Sequence, residues 1–192
     1  MDEEPKYPLQ RKWKIWEMWE QNKQSSATFT EKMQTIGEFD TIYTFWQHWN
    51  YFPHSDPSKL FEDPETKTQF IIEGLNHSIE AIGVFIDGVK PAWEDEINIK
   101  GSDLCIRKHS SEYKRLKEYW DKLVISVIGE NLPYSEDIVG CRVVDKKNNF
   151  KFEIWLRFDA SSNQGKVAEM KEIIARMFEI PVNSIGIALH KH

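Results

Sequence analysis

Residues 11–19, Arg-Lys-Trp-Lys-Ile-Trp-Glu-Met-Trp, nearly alternate apolar and polar side chains, and this period of two narrows what the chain can fold into. Alternation gives a strand one wet and one dry face, and aromatic and β-branched residues suit that half-buried surface. Further strands are read at 32–38, 140–146, 150–158 and 184–189, and strands of the continuously buried type at 82–86 and 104–107. A hairpin turn is predicted at Lys147-Asn148-Asn149. Between the strands, three stretches carry the helical period instead. The first, 40–51, has Asp40 or Thr41 to cap it and Ile42, Phe45, Trp46 and Trp49 at helical spacing. The second, 111–128, has Ser110 or Ser111 as cap, an apolar face of Tyr113, Leu116, Trp120, Leu123 and Val127, and Gly129 as stop. The third, 163–178, aligns Val167, Met170, Ile174 and Met177. Many strands and three covering helices predict an α+β domain: a curved antiparallel β-sheet with three main helices packed on its convex face.

The 192 residues suffice for one large domain, with residues 1–8 as a short tail, 9–192 as the domain and 61–78 as an insertion without clear period. Leu123-Val124-Ile125-Ser126-Val127-Ile128, one of the longest apolar runs, is far too short to span a bilayer, and the acidic start does not read as a secretory signal. A cytoplasmic protein without membrane association is expected. Cys105 and Cys141 sit in apolar stretches and read as reduced, buried thiols. Neither a cofactor nor a metal is implied by residue spacing. A net charge of −6 argues against broad binding along a nucleic-acid backbone, but leaves room for a local cluster of cations that holds a few phosphates.

Trp93-Glu94-Asp95-Glu96 follows the turn-prone Asp87-Gly88-Val89-Lys90-Pro91. An aromatic side chain presented on a loop must pack or grip a ligand, and an indole beside a carboxylate suits a flat cationic heterocycle. Trp16, Trp46 and Trp120 fall on periodic apolar faces and read as packing groups. On the hairpin, Arg142 and Lys146 share one strand face, and Lys151 and Trp155 share a face of the partner strand. Such cations are either a solubilising edge or a phosphate grip beside a base.

Taken in order, these residues resemble the eukaryotic translation initiation factor 4E family, which binds the 7-methylguanosine cap of messenger RNA. The resemblance runs from Tyr7-Pro8-Leu9-Gln10, Trp13 and Trp16 through Phe39-Asp40-Thr41, Phe45-Trp46, Trp93-Glu94-Asp95-Glu96, Asn98, Gly101, Trp120, Ile128-Gly129-Glu130, Asp137-Ile138-Val139-Gly140 and Ile154-Trp155. It implies a cap-binding slot on the concave side of the sheet. There Trp93 stacks on the methylated base, and Glu94 accepts hydrogen bonds from guanine N1 and N2. Trp155 touches the N7-methyl group, and Lys146 and Lys151 hold phosphates. It also implies a scaffold partner of the initiation factor 4G type, whose Tyr-x-x-x-x-Leu-φ helix docks on Pro8, Ile42, Trp46, Asn50 and Ile125. No enzymatic activity is implied.

Three departures stand out. The first stacking aromatic of the family aligns with Phe29, with Trp19 at the start of the same loop as the alternative. Asp103 replaces a phosphate-binding Arg, which implies either a lower phosphate affinity or compensation by Arg107 or Arg142. Asp121 stands where the family has an apolar residue on the scaffold face. That charge keeps open a cap-binding repressor without productive scaffold contact. A pure protein-interaction domain without nucleotide binding is a further alternative. A nucleotide hydrolase would need metal-binding carboxylates or a phosphate-cradling Gly loop, and neither is evident.

Overall fold

The computed structural model describes residues 7–19, 32–69 and 78–190. Among the described residues seven strands form one antiparallel sheet: β1 (Pro8–Trp19), β2 (Met33–Thr41), β3 (Ile79–Ile86), β4 (Ser102–His109), β5 (Ile138–Asp145), β6 (Asn149–Leu156) and β7 (Gly186–Leu189). Their order across the sheet is β2-β1-β3-β5-β6-β4-β7. Helices α1 (Ile42–Tyr51), α2 (Leu116–Ile128) and α3 (Gln164–Phe178) complete the domain.

Strand alternation splits the side chains as the pleat requires. On β6, Phe152 and Ile154 enter the main core with Trp120, Leu123 and Ile174 of the helices, while Lys151, Glu153 and Trp155 take the other face. The sheet is therefore curved around two different interiors. One is the apolar layer under the helices. The other is an open face that buries an aromatic group, Phe85, Val89, Val139 and Trp155, beside charged side chains. Gly140 makes that second group possible. A Cβ there would lie 2.4 Å from a ring carbon of Phe85, whose edge meets Trp155 at 5.3 Å.

Helix α1 begins as its sequence dictates. Thr41 Oγ1 accepts from the Thr44 N–H, and Thr44 Oγ1 accepts from the Thr41 N–H, a reciprocal cap. Phe45 and Trp49 are buried, but Trp46 is 41% exposed and Ile42 45%. The packing role read for Trp46 from periodicity is thus corrected: it lies on the outer side of α1. Trp120 is fully buried, and Trp16 is half-buried on the open face.

The second helix ends at Gly129 as expected but departs from expectation at its start. Residues 110–115 form a 3-10 turn, so α2 starts at Leu116. The cap of that turn is His109, whose Nδ1 accepts from the Ser111 N–H, rather than Ser110 or Ser111. Gly129 closes the helix with φ −83°, and the left-handed residue is Glu130, held by Arg11 at 2.9 Å. The turn between β5 and β6 is one residue earlier than predicted: Lys147 takes φ 64° and Asn149 already belongs to β6.

Of the expected insertion 61–78, residues 70–77 lie outside the described residues, and of the rest 65–68 are exposed. Phe61 is buried and stacks on Phe150 at 6.2 Å, and the Asp63 carboxylate accepts from the Glu65 and Thr66 N–H groups. Cys141 lies in the core and Cys105 on the open face, where its thiol donates to Asp103. Among the described residues no helix is long and apolar enough to cross a membrane.

Candidate nucleotide-binding site

The open face carries a cavity of about 640 Å³, within the size range of small-molecule sites. Its lining includes Trp93 and Glu94 from the loop after β3, Trp155 and Arg142 from the sheet, Met18 and Trp19 from the end of β1, and Lys146 from the β5–β6 turn. The structure thus brings together six of the predicted residues, Trp93, Glu94, Trp19, Trp155, Lys146 and Arg142. Phe29 lies outside the described residues. Lys151 is not part of the lining.

The loop that bears Trp93 is fixed from within. Asp95 accepts from the Lys90 and Ile97 N–H groups through its two carboxylate oxygens. Asn98, fully buried, donates to the carbonyls of Lys90 and Ala92. Gly101 ends the loop where a Cβ would lie 2.3 Å from the Leu156 carbonyl, so only glycine lets the loop join the sheet there. The acidic run is therefore not uniform. Asp95 holds the loop, while Glu94 is exposed at the cavity.

Trp93 has a backing. Its ring stacks on His190 at 5.8 Å and 18° between planes, and His190 also meets Trp155 at 4.5 Å. His190 is buried, with Nδ1 hydrogen-bonded to the Asn98 carbonyl at 2.9 Å and Nε2 to Asp103 at 3.2 Å. The indole is still 42% exposed, so it offers a free surface above a seated one. At the other end of the cavity, Trp19 donates through its indole N–H to Glu17. Glu17 is itself buried and hydrogen-bonded to His54 and Gln34. Burial pushes the Glu17 carboxyl up, but the hydrogen bonds from His54 and Gln34 outweigh it, and the net direction is below the ordinary carboxylate value.

Beneath the floor runs a ladder of charges. Glu153 accepts from Arg142 Nε at 2.7 Å and from the Trp155 indole N–H at 2.9 Å, and pairs with Lys151 at 2.7 Å. Lys151 also faces Asp103 at 3.6 Å, and the Arg142 guanidinium lies 4.9 Å from the centre of the Trp155 ring. Burial alone would raise the Glu153 carboxyl, but Arg142 and Lys151 overcome it and hold the group at about 2. A carboxylate depressed on folding stabilises the fold above its ordinary value of 4.5, and that contribution is lost as pH falls towards 2. Thermal unfolding of wild type and Glu153→Gln should therefore differ most above pH 5 and converge as the pH drops from about 4.5 to about 2. A gap that widens on acidification would contradict this account.

Several cavity residues were not singled out in the sequence. Met18 follows from the alternation that places Trp16 on the open face. Lys32, Glu80 and Asp145 also line the cavity, and Lys147 of the predicted hairpin turn joins them, so the lining mixes cations and carboxylates. His190 and Glu153 carried no local signal at all.

On the helical side, Ile42, Trp46 and Ile125 are exposed apolar groups, and Pro8 opens β1 at the edge of the same region, its register facing Thr41 just before α1. Asn50 is exposed on α1. Asp121 is not a lone charge. Its carboxylate accepts from the Trp49 indole N–H at 2.7 Å and from Lys117 at 2.9 Å.

Fold and cavity together define a small α+β domain with an aromatic, charged cleft on the open face of its sheet. The chain belongs to the eukaryotic initiation factor 4E family, whose model matches residues 8–192. It is 29% identical to eukaryotic translation initiation factor 4E of Bos taurus over 152 residues, 78% of this chain and 60% of that protein. The chain thus spans about three fifths of the length of such relatives. In fold it resembles eIF4E-3 of Ascaris suum, solved with an m2,2,7G cap, with a TM-score of 0.74 and 24% identity over 97% of this chain and 92% of that one. It also resembles C. elegans eIF4E-3 in complex with the 4E-binding protein Mextli, with a TM-score of 0.73 and 20% identity over 96% of this chain and 94% of that one.

Proposed function

We propose that this chain binds the 7-methylguanosine cap of messenger RNA in the open-face cavity. Through the outer side of α1 and α2 it recruits a scaffold protein of the initiation factor 4G type, in cytoplasmic translation initiation. It is a binding protein, not an enzyme. Trp93 stacks on the methylated base, its backbone amide faces guanine O6, and Glu94 accepts from N1 and N2. Trp155 forms the floor towards the N7-methyl group. Trp19 or Phe29 closes the other side of the ring, and Lys146, with Lys32 and Lys147 beside it at the mouth, faces the phosphates. The observation that carries this reading is the seating of Trp93 on His190. With its loop held by Asp95 and Asn98, one indole face and the neighbouring carboxylate are ready at the cavity before any ligand arrives. Family membership and the cap-bound relatives support it.

The chemistry reads methylation as charge. Methylation at N7 makes the ring cationic, which favours both the stack and the carboxylate. Intrinsic tryptophan fluorescence should be quenched by 7-methyl-GTP at concentrations where GTP has no effect. Hydrogen bonds to a charged group contribute about 1.5–3 kcal/mol each, so losing both in Glu94→Ala should weaken 7-methyl-GTP by about 100-fold or more and erase most of the selectivity. Equal or absent quenching by the two nucleotides would overturn cap binding and leave a protein-interaction domain. The repressor alternative, which rested on Asp121, loses force because that carboxylate is already satisfied by Trp49 and Lys117.

A further inference from the structure

Lys151 is the residue that the family resemblance assigns to a phosphate, yet its amine is directed into the floor and not at the cavity. It is paired with Glu153 at 2.7 Å and faces Asp103 at 3.6 Å, and its side chain is only 14% exposed. Arg142, the other cation of the sheet face, is bound by the second oxygen of the same Glu153 at 2.7 Å and is 12% exposed. Two cations are thus matched by two carboxylates, Glu153 and Asp103, each 2% exposed or less. Both carboxylates arrive through register: Glu153 stands opposite Arg142 across β5–β6, and Asp103 opposite Trp155 across β4–β6.

Resting on the cap-binding reading above, we propose that Glu153 is a specificity-determining residue. By holding Arg142 and Lys151 in the floor, with Asp103 as the second anion, it makes the site read the methylated base and not the length of the phosphate chain.

A phosphate that approached Lys151 would have to draw the amine away from Glu153, leaving a buried carboxylate short of a partner. It would also bring its own negative charge towards Glu153 and Asp103. Both effects oppose the transfer. The same ion pairs that lower the Glu153 carboxyl raise the Lys151 amine against the effect of burial, the signature of a committed pair. What remains for phosphate is the mouth, where Lys146 is 47% exposed and shares its amine with Glu80 at 3.1 Å. An exposed cation of this kind contributes weakly and is screened by salt.

The test compares 7-methyl-GMP, 7-methyl-GDP and 7-methyl-GTP by fluorescence titration against wild type, Lys151→Met, Glu153→Gln and the double variant. Wild type should gain less than about tenfold in affinity from one phosphate to three, and Lys151→Met should change 7-methyl-GTP by less than about twofold. Glu153→Gln keeps the shape and removes the charge. It should strengthen 7-methyl-GTP by about tenfold or more, leave 7-methyl-GMP within about threefold, and steepen the salt dependence, and Lys151→Met in that background should remove the gain. If wild type already prefers the triphosphate by a hundredfold, or Lys151→Met alone weakens it about tenfold while sparing the monophosphate, the proposal is wrong and Lys151 is a phosphate ligand. These two measurements decide even where Glu153→Gln does not fold. Failure of all three methylated nucleotides to bind, with folded protein, would overturn the cap-binding reading itself and this proposal with it. Binding with a steep phosphate dependence would overturn this proposal alone.

Discussion

Trp93→Ala is expected to weaken 7-methyl-GTP binding by about 30- to 1,000-fold while barely touching the fold. Stacking of a base on an aromatic side chain contributes about 1–3 kcal/mol, and a desolvated cation over an indole adds up to about 2 kcal/mol. A loss of about 2–4 kcal/mol corresponds to that range of affinity. Stability should suffer little, because the ring is 42% exposed and lies on a loop whose hydrogen bonds come from Asp95 and Asn98. Trp93→Phe should keep part of the affinity, since a smaller ring with a weaker quadrupole still stacks. The measurement pairs isothermal titration of 7-methyl-GTP with a thermal melt. Unchanged affinity in a folded Trp93→Ala protein would remove the indole from the site. A large fall in melting temperature would mean that Trp93 supports His190 and Trp155 more than it serves a ligand.

The layers of this molecule were largely legible in the sequence because periodicity is a local property. Alternation at 11–19 and 150–158 separates Ile15 and Ile154 from Trp16 and Trp155, and helical spacing brings Leu116, Trp120, Leu123 and Val127 to one buried side. Local rules failed where two conformations share the same spacing. Residues 110–115 continue the apolar face of α2 as a 3-10 turn, capped by His109, the residue just before the two serines. Periodicity also could not tell a helix face that meets the sheet from one that meets solvent, and so assigned Trp46 to packing. Trp93 and Glu94 were legible as a pair because they are adjacent in the chain. Their supports were not. His190 reaches Asn98 across 92 positions, and Asp103 and Lys151 meet from different strands, so only the register decides that contact. The pairing of Asp121 with Trp49 spans 72 positions and turns an apparent defect of the scaffold face into an internal contact. The charge on Asp121 was read correctly from sequence, but its availability was not.

Trp120 and Trp46 should separate fold from partner binding, the first by a fall in stability and the second by a loss of affinity. Trp120 is fully buried in α2, lies 6.1 Å from the ring of Trp49, and donates its indole N–H to the His54 carbonyl at 3.0 Å. Trp120→Ala removes that packing, opens a cavity, and deprives a buried carbonyl of its donor, at an expected cost of about 3–5 kcal/mol. For a chain of this length each kcal/mol lowers the melting temperature by about 2–4 °C, so a fall of about 6–20 °C is expected. Trp46 sits one helical turn before Trp49 but is 41% exposed, touching Phe45 edge-on at 5.0 Å. Trp46→Ala should move the melting temperature by less than about 3 °C and leave 7-methyl-GTP binding intact, since the sheet separates α1 from the cavity. Its effect should fall on the partner. An exposed indole one helical turn from the exposed Ile42, with Ile125 exposed on α2, has the make-up of an interface anchor, and truncating such an anchor costs about 2–4 kcal/mol. Binding of a labelled Tyr-x-x-x-x-Leu-φ helical peptide, read by fluorescence anisotropy, should therefore weaken by about 30- to 1,000-fold. A Trp46→Ala protein that melts normally and still holds the peptide would detach partner recognition from this face. One that loses the peptide and the cap nucleotide together would mean that the two faces do not act separately.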